Sequence, residues 1–392
     1  MHSLGIAVVA IFALQETACT LTASGGDDGP AFITAAQTCD TVVVPADTTL
    51  SIASPMNMTD VVNTHISLEG TIKFVDDIDF WAGTAFFFDF QNSTTFWILS
   101  GENILFDGGG TIDGSGQAWY DAFASNSSLV RPIILTIYEA TNVTVQDITE
   151  LNSPDWFNLV HTSQNIVYDG LTIEAVSTSS VEAKNTDGWD IYRSDSVSIL
   201  NSNINNGDDC VSWKPNSTNM IVANLVCNGS HGISVGSLGQ YPQFFDIVEN
   251  VTATNVTMSN AQNGARIKAW AGAGVGGGIV KNITFELFFE TNVDNPIIID
   301  QCYMTDEDEC AANPSNTFIQ DVWFNNITGT SSGAEDSTVA SLSCSPDSRC
   351  SDINVNDISL APPSSEGDAT YTCQNDNVTG NAASLFGNCT TT

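Results

Sequence analysis

The chain is predicted to fold as an all-β solenoid, a single elongated domain in which one coil of short parallel strands stacks on the next. Two observations carry this. Short β-branched runs, each opened by a polar residue, begin at Asn103, Asn142, Asn165, Ser196, Asn219, Asn250, Asn282 and Asp321, and the steps between them, mostly about 20 to 40 residues, are those of a solenoid. Such runs, as in Asn142-Val-Thr-Val or Asn165-Ile-Val-Tyr, read as short strands whose side chains alternate in and out. The second observation is negative: helical periodicity is nearly absent, and no linker divides the 392 residues. An antiparallel sandwich would place turn signals every 8 to 12 residues or so and would be richer in hairpin dipeptides.

Taken in order, Leu4 to Leu14 (LGIAVVAIFAL) is an uncharged apolar run, too short to span a bilayer and of the length of a signal-peptide core. Residues 1–18 are therefore expected to be a signal peptide, with cleavage near Cys19, and residues 19–392 the solenoid; a buried first strand is the alternative reading of the same run. Pro30 to Thr38 reads as a short helix, with Asp27 and Asp28 ahead of it to favour its N-terminus and Pro30 suited to its first turn. A solenoid exposes unpaired strand edges at both ends. The helix, tied by a Cys19–Cys39 bridge, is expected to cap one end, and the Cys344/Cys350 and Cys373/Cys389 loops to close the other. Ala361 to Gly367 (APPSSEG) reads as a loop inside that terminal region.

The ten cysteines fall in neighbouring pairs, Cys19/Cys39, Cys210/Cys227, Cys302/Cys310, Cys344/Cys350 and Cys373/Cys389. Short-loop disulfides are expected, although spacing does not fix connectivity. N-x-[ST] sequons, among them Asn57, Asn92, Asn142, Asn216, Asn228, Asn250, Asn255, Asn282 and Asn326, fit the same secretory, extracellular route. With 46 acidic against 9 basic residues the formal net charge is −37, which excludes nucleic acid and anionic membrane as partners.

Four polar clusters follow one another at about one coil apart: Asn185-Thr186-Asp187, Gly207-Asp208-Asp209-Cys210, Gly229-Ser230-His231-Gly232 and Arg266-Ile267-Lys268. Neighbouring strands lie about 4.8 Å apart, so stacking gathers these residues on one face. Gly207 suggests a bend that lets both adjacent carboxylates reach a cleft, and Arg266 and Lys268, two apart, share a face. Crowded carboxylates cannot all ionise, so one keeps its proton as a general acid while the others serve as bases. His231 can tune that proton. Arg266 offers a bidentate match to a carboxylate, and Lys268 adds a point charge. Each cluster alone is ordinary turn chemistry, and calcium is a rival occupant for Asp187, Asp208 and Asp209; their arrival in order at solenoid spacing is what points to catalysis.

The stretches N-T-D-G-W-D (185–190), G-D-D-C (207–210), G-S-H-G (229–232) and R-I-K (266–268) resemble the four signature motifs of the polygalacturonases, family 28 of the glycoside hydrolases. The resemblance implies a right-handed parallel β-helix that hydrolyses α-1,4-linked galacturonic acid with inversion and without a metal or other cofactor. It implies Asp208 as proton donor, Asp187 and Asp209 activating water, and His231 supporting the donor. Asn185, Arg266, Lys268 and Tyr303 are implied to bind the uronate, and Cys210–Cys227 to brace the site. The text around the second and third motifs is most similar to exopolygalacturonases, which release galacturonate from the non-reducing end of pectic polysaccharide. An endopolygalacturonase, a rhamnogalacturonan or xylogalacturonan hydrolase, a calcium-dependent pectate lyase and a non-catalytic binder are the alternatives. Beyond pectin no partner is expected, and the chain is expected to act as a monomer.

Overall fold

Asparagine at a left-handed backbone angle marks the corners of the molecule. The computed structural model describes residues 17–391, so the apolar run Leu4 to Leu14 lies outside the described residues. Strands pair in parallel from coil to coil to give a parallel β-helix with three faces. The first sheet runs from Met56–Val62 through Thr94–Asp107, Pro132–Tyr138, Asn158–His161, Trp189–Tyr192, Val211–Trp213, Ile233–Leu238, Asn263–Trp270, Asn295–Tyr303 and Thr338–Ser343 to Thr370–Gln374. The second begins with Ala18–Thr20 and ends with Cys350–Asn356, and the third extends from Thr49–Ile52 to Ser359–Ala361. Long strands such as Gly277–Val293 turn a corner and serve two sheets. Phe86–Phe87 and Thr94–Asp107 form an antiparallel pair, at the base of a loop over the first sheet.

Asn142, Asn165, Asn219, Asn250 and Asn282 all sit at φ between 55° and 60°, a region asparagine tolerates better than most residues. Their side chains form ladders. Asn142 donates to Asn103 and Asn165 to Asn142; further along, Asn250 donates to Asn219 and Asn282 to Asn250. A second ladder joins Asn201, Asn224 and Asn255, and a third joins Asn205, Asn228, Asn260 and Asn292. Each such bond contributes on the order of 0.5–1.5 kcal/mol. Five of the sequon asparagines, Asn142, Asn228, Asn250, Asn255 and Asn282, are thus also ladder members whose amide nitrogen donates to the preceding coil.

Inside, like stacks on like: Ile104, Val143, Ile166 and Val197, then Met220, Val251, Ile283, Val322 and Ile353, form a buried aliphatic row beneath the second sheet. Helix α1 (Gly29–Thr38) covers the N-terminal end and buries Phe32 edge-on to Trp97. Asp27 accepts from Gly29 N at its start, whereas Asp28 ties Ser24 and Ser51 instead of capping. All five expected disulfides form, including Cys19–Cys39 beside the cap, Cys302–Cys310, and the Cys344–Cys350 and Cys373–Cys389 loops at the far end. Sequence periodicity did not reveal helices α2 (Ile78–Thr84), α3 (Gln117–Ser125) and α4 (Glu307–Ala312). They are short excursions between coils.

Candidate active site

Asp208 and Asp209 lie in the turn between the strands Asn203–Asn205 and Val211–Trp213, and the turn is pinned from several sides. Asn206 donates to the carbonyls of Thr186, Asp208 and Asp209. His231 N and Ser230 Oγ also donate to Asp208 O. The Cys210–Cys227 disulfide follows at once. A Cβ on Gly207 would stand 2.3 Å from Ala183 O, so only glycine lets the two coils approach there. These restraints turn both carboxylates toward the cavity, as the bend at Gly207 led us to expect.

The stacking brings together all eight residues singled out from the sequence. Oxygens of Asp187, Asp208 and Asp209 lie within 4.8 Å of one another. His231 Nδ1 is 3.1 Å from Asp208, and Asn185 donates to the other Asp208 oxygen. Lys268 Nζ is 2.6 Å from Asp209, Ser234 donates to it, and Arg266 stands 3.9 Å away. Both cations lie over the Tyr303 ring, 5.2 and 5.3 Å from its centroid. The three carboxylates could hold a cation, but Lys268 and His231 already engage Asp209 and Asp208 and would compete with it.

Sequence reasoning missed four charged residues. Arg131, buried, donates to Asn185 Oδ1, Lys184 O and Pro154 O, stands 3.2 Å from Asp155 and lies over Phe123. Lys214 Nζ is 2.9 Å from Asp190 and 4.0 Å from Asp187. Register was the signal for this pair: Asp190 faces Ser212, so a side chain two residues further on can reach back.

Burial would raise Asp209, but Lys268, Arg266 and Lys214 hold it well below the usual carboxylate range. Burial works to raise Asp208 most of all, but the hydrogen bond and charge of His231, with the charge of Lys268, leave it lowered; in return His231 is raised despite burial. Asp187 is pushed far up by burial, then by Asp190 and Asp208. The upward push therefore falls on Asp187 rather than on Asp208. Burial also raises Asp155 to about 7 and Asp190 to about 6.

The site occupies a cavity of about 360 Å³. Residues 91–93 and 127–131 wall it on the side of the preceding coils, and Lys268, Ser237 and Tyr303 line the other. Arg266, at 3.9 Å, holds Asp209 more loosely than Lys268 does at 2.6 Å and keeps a buried Nε without a hydrogen-bond partner, so its guanidinium has more donor capacity left for an anion. Arg266→Ala is accordingly expected to raise KM with little change in kcat. Lys268→Ala is expected to lower kcat as well, because Asp209 loses its counter-charge. Steady-state kinetics of the two variants check this, and equal KM-only effects would return Lys268 to a purely binding role.

The model of glycosyl hydrolases family 28 matches residues 35–384. An exopolygalacturonase of Cochliobolus carbonum is 45% identical over 377 residues, 92% of this chain and 84% of its own length. Exopolygalacturonase X of Aspergillus niger is 46% identical over 343 residues, 84% of this chain and 79% of its own. Among solved structures, an endo-xylogalacturonan hydrolase from Aspergillus tubingensis superposes with a TM-score of 0.84 at 34% identity, covering 96% of this chain and 99% of that one. Polygalacturonase of Erwinia carotovora, at 22% identity and a TM-score of 0.72, shares the fold. With its strands wound into a right-handed parallel β-helix and three carboxylates gathered at the family's motifs, the chain belongs to family 28 of the glycosyl hydrolases.

Proposed function

We propose that the protein is a secreted exopolygalacturonase, hydrolysing single galacturonates from the non-reducing end of polygalacturonate with inversion at the anomeric carbon. The observation that carries this is a carboxylate triad beside the Arg266 and Lys268 cations, in a cavity walled on the side of the preceding coils. A wall behind the terminal sugar stops the chain from threading through and favours cleavage from an end. Phe90 reinforces it, stacked on Tyr192 at 3.7 Å and packed near Trp156.

Asp208 is the proton donor in this reading. Its side chain is 18% exposed, against 4% for Asp187 and none for Asp209, so it alone presents a substantial face to a glycosidic oxygen. A bound sugar strips the remaining water from Asp208 and adds to the burial that already works to raise it. Asp187 and Asp209 hold the attacking water. Their closeness is unusual, because a general acid and a lone base normally stand about 6.5–9.5 Å apart in inverting enzymes. Two acceptors sharing one water at hydrogen-bond distance must themselves be roughly 4.5 Å apart, which fits the triad. The upward push on Asp187 favours a second reading, in which Asp187 is the acid and Asp208 a base.

Incubation with de-esterified polygalacturonate, with products sized and their anomer followed by NMR, tests the function. Free galacturonate from the first minutes, initially the β-anomer, is expected. Early mixed oligomers indicate endo action, an α-anomer indicates retention, and unsaturated products with a calcium requirement indicate a lyase.

A further inference from the structure

Beyond the Phe90 wall, the outer face of the first sheet carries a second cavity of about 610 Å³. Tyr138, His161 and Tyr192 project from consecutive strands as its floor. Phe87 and Phe244 stand at its rim, 58% and 44% exposed. Phe90 separates it from the catalytic cavity.

Arg193 is its cation. The guanidinium carbon lies 5.0 Å from the Tyr192 centroid and 5.7 Å from that of Phe244. Among the described residues no carboxylate stands within ion-pair distance of Arg193, Lys281 or Arg349, whereas Lys73, Arg131, Lys184, Lys214, Arg266 and Lys268 all have an acidic partner. Of those three, Arg193 is the one that lines this aromatic cavity, so in a chain of net charge −37 it offers an anion an exposed, unpaired positive charge. Aromatic faces suit the apolar C–H face of a sugar ring, and a planar guanidinium suits a carboxylate. Asp89 and Gln243 also line the cavity and supply acceptor and donor groups for hydroxyls.

We propose that this cavity is a non-catalytic binding site for an acidic saccharide, a uronate of a neighbouring chain in the substrate meshwork. The assignment rests on the pectin reading of the catalytic site. Because the wall stops the terminal sugar in the catalytic cavity from reaching it, the second site holds a different chain and keeps the enzyme among its substrates. Repulsion between an acidic enzyme and a polyanion would otherwise oppose this.

The test compares the full-length protein with Arg193→Ala and Arg193→Lys on cross-linked, gelled polygalacturonate, in which neighbouring chains are held together, and on digalacturonate. Arg193→Ala is expected to raise KM for the polymer roughly three- to tenfold through lost two-site engagement. Its kcat, and its KM for the dimer, are expected to stay at wild-type values, with partial recovery in Arg193→Lys. In an Asp208→Asn background, Arg193→Ala is expected to reduce retention on immobilised polygalacturonate, with no retention of either variant on neutral galactan. An unchanged polymer KM, or polymer and dimer KM rising together, overturns the site. Equal retention on neutral galactan overturns its preference for uronate. A wild-type control that releases no galacturonate would instead refute the catalytic reading, so the two failures are distinguishable.

Discussion

Asp208→Asn is expected to lower kcat on polygalacturonate by about 10²- to 10⁴-fold, the usual scale for a general acid, while the protein stays folded. Asparagine keeps the shape that meets His231 and Asn185 but has no acidic proton to deliver. The decisive comparison is with an aryl galacturonide, whose leaving group departs without protonation. On that substrate the Asp208→Asn variant should fall less than about tenfold short of wild type. Asp187→Asn and Asp209→Asn should lose activity equally on both substrates, because each still needs an activated water. If Asp187→Asn is rescued by the aryl substrate and Asp208→Asn is not, Asp187 delivers the proton, and the roles exchange.

The second large effect expected is on stability, which should fall steadily from about pH 5 to pH 8. Glu150, fully buried and accepting from Asn158, is raised by burial to about 8. Glu290 is driven well above its ordinary value by burial, and neither of its carboxyl oxygens has a hydrogen-bond partner. In the unfolded chain both ionise near about pH 4.3. Between that value and the raised one the native state holds a proton that the unfolded state has released. Each group then removes roughly 1.4 kcal/mol of stability per pH unit. For Glu150 alone the window amounts to about 5 kcal/mol, comparable with the whole stability of many domains. The lowered groups act at the other end: the contribution of Asp208 and Asp209 is present above their unfolded values and lost as pH falls through their depressed ones. Together they place the maximum near pH 4 to 5 or so. Thermal unfolding of wild type and Glu150→Gln at pH 4.5, 6 and 8 measures this. The variant should gain on wild type only as pH rises, and a wild-type Tm that climbs between pH 5 and 8 would refute the account.

Much of the architecture was legible because one residue type marks one geometric event. Asparagine at Asn142, Asn165, Asn219, Asn250 and Asn282 is a corner, and a corner at regular spacing is a coil. The four clusters were legible for the same reason, since they occupy equivalent positions on successive coils. The loop carrying Phe90 and helices α2, α3 and α4 were not, because nothing in their sequence repeats. Lys214 and Arg131 escaped notice as well: a lysine 24 residues beyond Asp190 acquires its partner through strand register, and Arg131 finds Asn185 54 residues away. The ion pair between Lys268 and Asp209, 59 residues apart, escaped notice for the same reason.

The asparagine ladders also bear on how the chain acquires its shape. Their bonds join residues 23 to 39 apart in a chain of 392, separations of about 0.06 to 0.10 of its length, in the range of helical bundles and well below that of ordinary β proteins. No coil waits for a distant segment. Once helix α1 and the first coil have settled, every later coil has a finished edge to pair with, its register set by the asparagine already at the corner. Assembly can therefore follow the order of synthesis, from the N-terminal cap onward, and a chain interrupted partway leaves an open edge rather than a scrambled core.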